Sequence, residues 1–312
     1  MNLDSNTSHL IQTLLIRAGI YGQPDAVTLL GDSTSLVWRI TVKDRHYVVR
    51  QRSDHDRQMI DKEVYLTALL KEQQVPTSEV LATIADENRT ATLSTYIDGV
   101  RLDAVLSTLS QHEKAQVWHS VGEYFRLAHT IEMPTAGEII GDQIEPFTGG
   151  WTHFVLEDLE TDIAWLMQKL AMPHPNIAQV DRVIATAKSI LSETPICLLH
   201  NDALPQNMLV APGEQGWQCV AWLDWEFARA GDPIWDVATL DFRPAQLVPP
   251  HFYEGYGYHR NEQQASIYDL LMAVWRTRVE LEHGALWDWP PQTERIKYLI
   301  HLSKHIERLA NL

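Results

Sequence analysis

The hydrophobic pattern of this chain changes character near Asp98-Gly99, from strand-like to mostly helical with one short strand pair, and that change calls for two differently built parts. Upstream, "AVTLLG" (26–31), "LVWRITV" (36–42) and "YVVRQR" (47–52) are short runs of Val, Leu and aromatics broken by polar turns, the signature of strands. Residues 7–19 carry helical apolar spacing. Residues 55–73 predict a second helix, with Ile60, Val64 and Thr67 or Ala68 on its inward face and Pro76 ending it. "EVLATIA" (79–85) and "TATLSTYI" (90–97) add two strands. The order β-β-β-α-β-β fits a small antiparallel sheet with one helix. Downstream, residues 112–130, 155–171, 177–192, 262–283 and 292–311 favour helix. An α+β chain is expected, with a strand-rich part over 1–98 and a helical part over 99–312.

Composition narrows the function classes. The formal charge of −16 argues against nucleic acid, whose phosphates call for clustered Lys and Arg. It is compatible with attraction of a small cation, although simple solubility is the plainer reading of charge alone. No apolar run approaches the roughly 18 residues a membrane span needs, so no membrane partner is expected. The start, Met1-Asn2-Leu3-Asp4-Ser5-Asn6, lacks the basic-then-apolar order of a secretory signal. The two cysteines, Cys197 and Cys219, sit in strand-like apolar runs and read as buried thiols in a reducing compartment. The cytoplasm is therefore the expected location. Nothing in the sequence sets an oligomeric state.

One stretch concentrates polar side chains. The apolar run Ile196-Cys197-Leu198-Leu199 breaks into "HNDALPQN" (200–207), and loops of that kind carry enzyme chemistry. "NMLVA" (207–211) and "WQCVAWLD" (217–224) then flank Pro212-Gly213-Glu214-Gln215-Gly216, a loop with hairpin chemistry. A hairpin brings its ends together, so Asn207 at the start and Asp224 at the finish should project near one point. Asp202 lies on the loop just before. Two carboxylates and an amide oxygen form a hard donor set that suits Mg²⁺. Taken singly, each residue has a plainer explanation as a turn or capping residue.

Joined in order, His200-Asn201-Asp202-Ala203-Leu204-Pro205-Gln206-Asn207, Leu223-Asp224-Trp225-Glu226 and Gly231-Asp232-Pro233-Ile234-Trp235-Asp236 resemble the aminoglycoside phosphotransferase and choline kinase family. These are protein-kinase-like enzymes that phosphorylate small molecules. The resemblance implies a two-lobed fold: a nucleotide-binding lobe over 1–98, and a helical lobe over 99–312 with the catalytic loop and substrate site. It implies Asp202 as the catalytic carboxylate for the attacking hydroxyl, and Asn207 and Asp224 as Mg²⁺ ligands. His200 would brace the loop, and Asp236 would hydrogen-bond its backbone. A basic residue on the third strand is implied as well. Arg50 stands there, where kinases usually carry lysine, and strand alternation puts Val48, Arg50 and Arg52 on one face. An Arg50–Glu63 ion pair would hold the phosphates. Thr95 C=O and Ile97 N–H would meet the base of ATP or GTP. Ser33 and Thr34, in the loop from Gly31 to Ser35, would cradle a phosphate or form an ordinary hairpin loop.

The acceptor is less constrained. Glu226, Glu280 and Asp288 are candidate substrate contacts, the last within Trp287-Asp288-Trp289, because aromatic walls with acids suit amines and sugars. A packed helical core explains eleven tryptophans equally well. Gly255-Tyr256-Gly257-Tyr258 looks like a mobile loop. The expected activity moves the γ-phosphate of ATP or GTP to a hydroxyl of a small, cationic molecule, with an aminoglycoside antibiotic, and hence resistance to it, as first expectation. Amino alcohols, sugars and metabolites such as homoserine or thiamine stay open. So do two other classes: a catalytically silent nucleotide-binding module, and a metal-dependent hydrolase using the same acids.

Overall fold

A computed structural model of the chain describes residues 4–31, 35–52, 56–86, 89–169, 177–214, 216–241, 248–257 and 262–283. In chain order the elements are α1 (Ser5–Arg17), β1 (Ala26–Gly31), β2 (Ser35–Val42), β3 (Arg45–Arg52), α2 (Arg57–Glu72), β4 (Val80–Asp86) and β5 (Arg89–Thr95). There follow β6 (Val100–Arg101), α3 (Leu102–Val105), α4 (Gln111–Ala128), β7 (Gly137–Ile140), β8 (Gln143–Pro146), α5 (Gly150–Leu156), α6 (Leu159–Lys169) and α7 (Ile177–Leu191). The last are β9 (Cys197–Leu199), β10 (Met208–Gly213), β11 (Gly216–Trp222), β12 (Arg229–Gly231), α8 (Ile234–Asp241), α9 (Pro250–Tyr256) and α10 (Glu262–His283). The expected helix over 292–311, Asp288 with its flanking tryptophans, Ser33, Thr34 and Tyr258 lie outside the described residues. Among the described residues no helix is long and apolar enough to cross a membrane.

These elements group into two compact units. The first comprises Met1–Val117, Ile139–Gln143 and Pro205–Phe227. Its centre is an antiparallel five-stranded sheet of order β1-β2-β3-β5-β4, as the strand order led one to expect. Lys43 and Asp44 join β2 to β3 with φ of +49° and +63°, opposite the Val42–Arg45 pair. Two left-handed residues give the turn whose twist matches the flanking strands. Alternation then sorts the sheet. Trp38, Ile40, Val42, Tyr47, Val49 and Leu93 share one core with Leu10, Ile11, Leu14 and Leu15 of α1. Burying each such aliphatic contributes about 1.5–3 kcal/mol, and Asp4 caps the helix by accepting the Thr7 N–H at 2.8 Å. The residues between them, Val48, Arg50, Arg52, Thr92 and Ser94, line a cavity instead. The β10–β11 hairpin, with β6 on its edge, completes this unit.

The second unit comprises Trp118–Glu138, Ile144–Leu204 and Ala228–Leu312. In it α10 packs on α6, α7 and α8 around a core that includes Trp151, Leu166, Val183, Tyr268 and Met272. A short strand, β12, lies between β7 and β9. Two expectations change here. The helix expected over 155–171 is two helices, α5 and α6, parted at Glu157-Asp158; Asp is a residue type that opens helices, and the Asp158 carbonyl accepts the Asp162 N–H at 2.8 Å. Gly255 and Tyr256 are not a mobile loop but the end of α9, with Tyr256 only 7% exposed and Gly257 as its left-handed cap.

Candidate active site

The cavity in the first unit has a volume of about 540 Å³, and Arg50, Glu63, Thr95, Ile97, Asn207 and Asp224 all line it. The β3–β5 face forms one wall and α2 another. Asn207, only 8% exposed, ends a single 3₁₀ turn at the start of β10. Its carbonyl accepts the Leu223 N–H at 2.8 Å, which ties the two ends of the hairpin together. Asp224 follows at once with φ +66°, a left-handed conformation that a non-glycine residue holds only where its surroundings impose it.

Arg50 donates from Nη1 to Asp224 Oδ1 at 3.0 Å. The expected direct Arg50–Glu63 pair is not made. Glu63 instead accepts from Thr92 Oγ1 at 3.3 Å and lines the same cavity as Arg50. Burial works against the Arg50 charge, yet Asp224, Glu63 and Glu226 outweigh it and hold the guanidinium pKa above its ordinary value. For Glu63 the balance goes the other way. Burial raises its carboxyl pKa, and the pull of Arg50 and the Thr92 hydrogen bond recovers only part of that rise. Burial disfavours the Glu63 charge while Asp224 keeps 30% of its side chain exposed, so pairing Arg50 with Asp224 gives up less water.

Two cations extend this arrangement. Arg52 donates to Glu226 Oε2 at 3.1 Å, and Lys62 Nζ donates to the Glu226 backbone carbonyl at 2.7 Å. Glu226, a candidate acceptor contact, thus lies on the cavity wall against Arg52. Lys62 was not expected here at all. Its side chain is buried, whereas Val64, expected inward, is 41% exposed. The inward face of α2 runs through Met59, Lys62, Glu63, Leu66 and Leu70. The spacing 62-66-70 could have shown this, but lysine polarity masks it. Also on the cavity wall, the Thr95 carbonyl accepts from Ser78 Oγ at 2.6 Å, while the Thr95 N–H donates to Glu79 O at 2.9 Å.

The loop 200–204 belongs to the second unit. Asp236, wholly buried at the start of α8, accepts the His200 N–H at 2.7 Å on Oδ2 and the Asn201 N–H at 2.8 Å on Oδ1. His129 Nε2 stands 3.3 Å from the same Oδ2, and its Nδ1 is 2.8 Å from Tyr256 OH. Asn201 has φ +62° and accepts from Trp235 Nε1 at 2.7 Å. The Asp202 N–H donates to His200 Nδ1 at 3.3 Å, which fixes the His200 proton on Nε2. Asp232 accepts from Tyr268 OH at 2.6 Å, Gln264 Nε2 at 2.8 Å and the Ile234 N–H at 2.9 Å. Glu280 lies on α10. His129, Tyr256 and Trp235 as supports were not foreseen, since no local signal links them to residues 200–202.

Asn207 and Asp224 offer two hard oxygens to one cavity, and among the described residues no group of three or more His, Cys, Asp or Glu is poised for a metal. That donor set fits Mg²⁺, which takes one or two protein oxygens and completes its shell with water and phosphate.

The profile of the phosphotransferase enzyme family (APH) matches residues 25–264. No curated protein matches the chain. Among solved structures, a thermostable mutant of the aminoglycoside phosphotransferase APH(4)-Ia, in ternary complex with ADP and hygromycin B, aligns at 19% identity with a TM-score of 0.63, covering 96% of this chain and 98% of that one. A Ralstonia eutropha protein assigned as an aminoglycoside phosphotransferase aligns at 15% identity and TM-score 0.65, covering 98% and 97%. The gentamicin complex of APH(2")-IIa aligns at 17% identity and TM-score 0.59, covering 100% and 97%. The fold is therefore the kinase-like fold of the aminoglycoside phosphotransferases. With its profile matched over most of its length, the chain belongs to the phosphotransferase enzyme family and is a small-molecule kinase.

Proposed function

We propose that this kinase transfers the γ-phosphate of ATP or GTP to a hydroxyl of a small cationic molecule, in the first instance an aminoglycoside. The observation that carries the reading is the juxtaposition of Arg50, Glu63, Asn207 and Asp224 on the wall of one cavity. Arg50 exchanges Asp224 for the nucleotide phosphates, a bidentate task for which a guanidinium is shaped. Thr95 and Ile97 present backbone groups to the base. Asn207 and Asp224 hold Mg²⁺, which when bound neutralises charge on the phosphates. Asp202 orients the acceptor hydroxyl and receives its proton, on a loop that Asp236 and His200 hold rigid. Glu226 and the acids of the helical part, Glu280 and Asp288, are the acceptor candidates. Complexes of solved relatives with ADP and hygromycin B, with gentamicin, and with streptomycin and ATP support both substrate classes. The net charge of −16 supports a cationic acceptor. Two buried thiols support a reducing compartment such as the cytoplasm.

The test is a panel of aminoglycosides, amino alcohols and sugars incubated with Mg²⁺ and ATP or GTP, read by product mass. One acceptor gaining one phosphate is expected. Free phosphate with no phosphorylated acceptor would move the chain to the hydrolase class. Asp202→Asn should lose turnover and keep nucleotide binding; normal turnover in that variant removes the catalytic assignment.

A further inference from the structure

Asp224, paired with Arg50, opens a short segment in which Trp225 is buried against Trp222 and donates from Nε1 to the Trp222 carbonyl at 3.3 Å. Residues 225–227 make a single 3₁₀ turn, too short to fix its own orientation, and Asp224 enters it in a left-handed conformation. The turn is nonetheless gripped from two separate elements. Arg52 on β3 reaches the Glu226 carboxylate at 3.1 Å, with the two side chains 11% and 20% exposed. Lys62 on α2, 6% exposed, reaches the Glu226 backbone carbonyl at 2.7 Å. A lysine is rarely buried to this degree, because its ammonium is strongly hydrated. Three donors on one nitrogen make such burial tolerable when they are spent on acceptors. A backbone carbonyl as acceptor ties the cation to the path of the chain, not to a side chain that can swing away.

We infer that Lys62 and Arg52 are positioning residues for Asp224. They clamp Glu226 on its backbone and side-chain sides, and so hold the Asp224 carboxylate, two residues upstream, at the angle from which it meets a metal ion. Lys62 adjoins Glu63, so one turn of α2 both faces Arg50 and grips the segment after Asp224. The inference rests on the proposed reading of Asp224 as an Mg²⁺ ligand.

The test uses the full chain with Lys62→Met, Arg52→Met and the two combined. Nucleotide affinity is measured by calorimetry in EDTA and across an Mg²⁺ titration, beside kcat and KM. Each single variant is expected to raise the Mg²⁺ half-saturation about fivefold or more and to lower kcat about tenfold, while affinity in EDTA stays within about twofold. The double variant should be little worse than the poorer single one, as for residues acting on one target. Arg52→Lys should recover part of the Mg²⁺ response. A clear loss of affinity in EDTA would mean that Arg52 and Lys62 touch phosphate directly, and overturns the inference. So does a lowered melting temperature with an unmoved Mg²⁺ response, the mark of a purely structural clamp. If Lys62→Met does not fold, Lys62→Arg and Arg52→Met decide by the same criteria. If the wild-type chain itself shows no Mg²⁺-dependent nucleotide binding, the underlying reading fails; if it does and the variants do not shift it, only the clamp fails.

Discussion

Replacing Asp236 with Ala should unfold the chain at a much lower urea concentration and disable the loop at residues 200–202. The carboxylate is wholly buried and accepts the backbone N–H groups of His200 and Asn201 at 2.7 and 2.8 Å. Hydrogen bonds to a charged acceptor contribute about 1.5–3 kcal/mol each, and a buried donor left without one incurs its full desolvation penalty. The His129 contact at 3.3 Å is longer and adds less. Such terms overlap, so the expected loss is about 3–5 kcal/mol, at the top of the range for single substitutions. Asp236→Asn keeps one acceptor oxygen and turns an amide N–H₂ toward the second backbone donor, so about 1–3 kcal/mol is expected. Urea unfolding followed by tryptophan fluorescence gives the midpoint shift at constant slope. Hydrogen exchange at the His200 and Asn201 amides shows whether the loss is local, and kcat should fall in both variants. An Ala variant within about 1 kcal/mol of the wild type would refute the reasoning, because it would mean that the two N–H groups find other acceptors.

Other outcomes follow from single sites. A Cβ on Gly122 would meet Phe252 O at 2.0 Å, and one on Gly255 would meet His119 O at 1.9 Å, so α4 and α9 cross in backbone contact. Gly122→Ala or Gly255→Ala should cost about 1–3 kcal/mol, read as a lower thermal midpoint; an unchanged midpoint would mean that the helices are free to part. Burial raises the Glu63 pKa in the folded state against the pull of Arg50 and Thr92. The native chain therefore holds this proton more tightly than the unfolded one between the ordinary carboxylate value and the raised one. Wild-type stability should rise relative to Glu63→Gln as pH falls through that window. The opposite slope in urea titrations at pH 7 and pH 4 would show that the Arg50 attraction dominates. Burial pushes the Cys219 thiol up to about 12 and the Cys197 thiol further. Neither should react with a maleimide at pH 7 until urea is added, and fast labelling of the folded chain would contradict their burial.

How much of this could be read from residues alone depends on whether the deciding interaction is local. Strands β1 to β5 could, because alternation within six or eight residues already separates Trp38, Ile40 and Val42 from their neighbours. Asn207 and Asp224 could, because a hairpin makes sequence distance into spatial proximity. β6, β7 and β12, at two to four residues, are too short to show a period. They form because neighbouring strands, β10 for β6, and β7 and β9 for β12, offer them ladder bonds. Lys62 fails for a different reason. Its polarity says surface, and burial becomes tolerable through acceptors such as the Glu226 carbonyl, 164 residues away. The partner of Arg50 is the sharpest case. Pattern alone pairs Arg50 with Glu63, since both face inward on neighbouring elements. The choice of Asp224 is set by a competition between two acids for one guanidinium, and that competition is decided by hydration. Glu63 lies where burial already disfavours its charge, while Asp224 keeps about a third of its side chain in contact with solvent. A salt bridge forms where Coulomb attraction exceeds the water given up, so the partner follows from depth in the cavity, a quantity that no local pattern encodes.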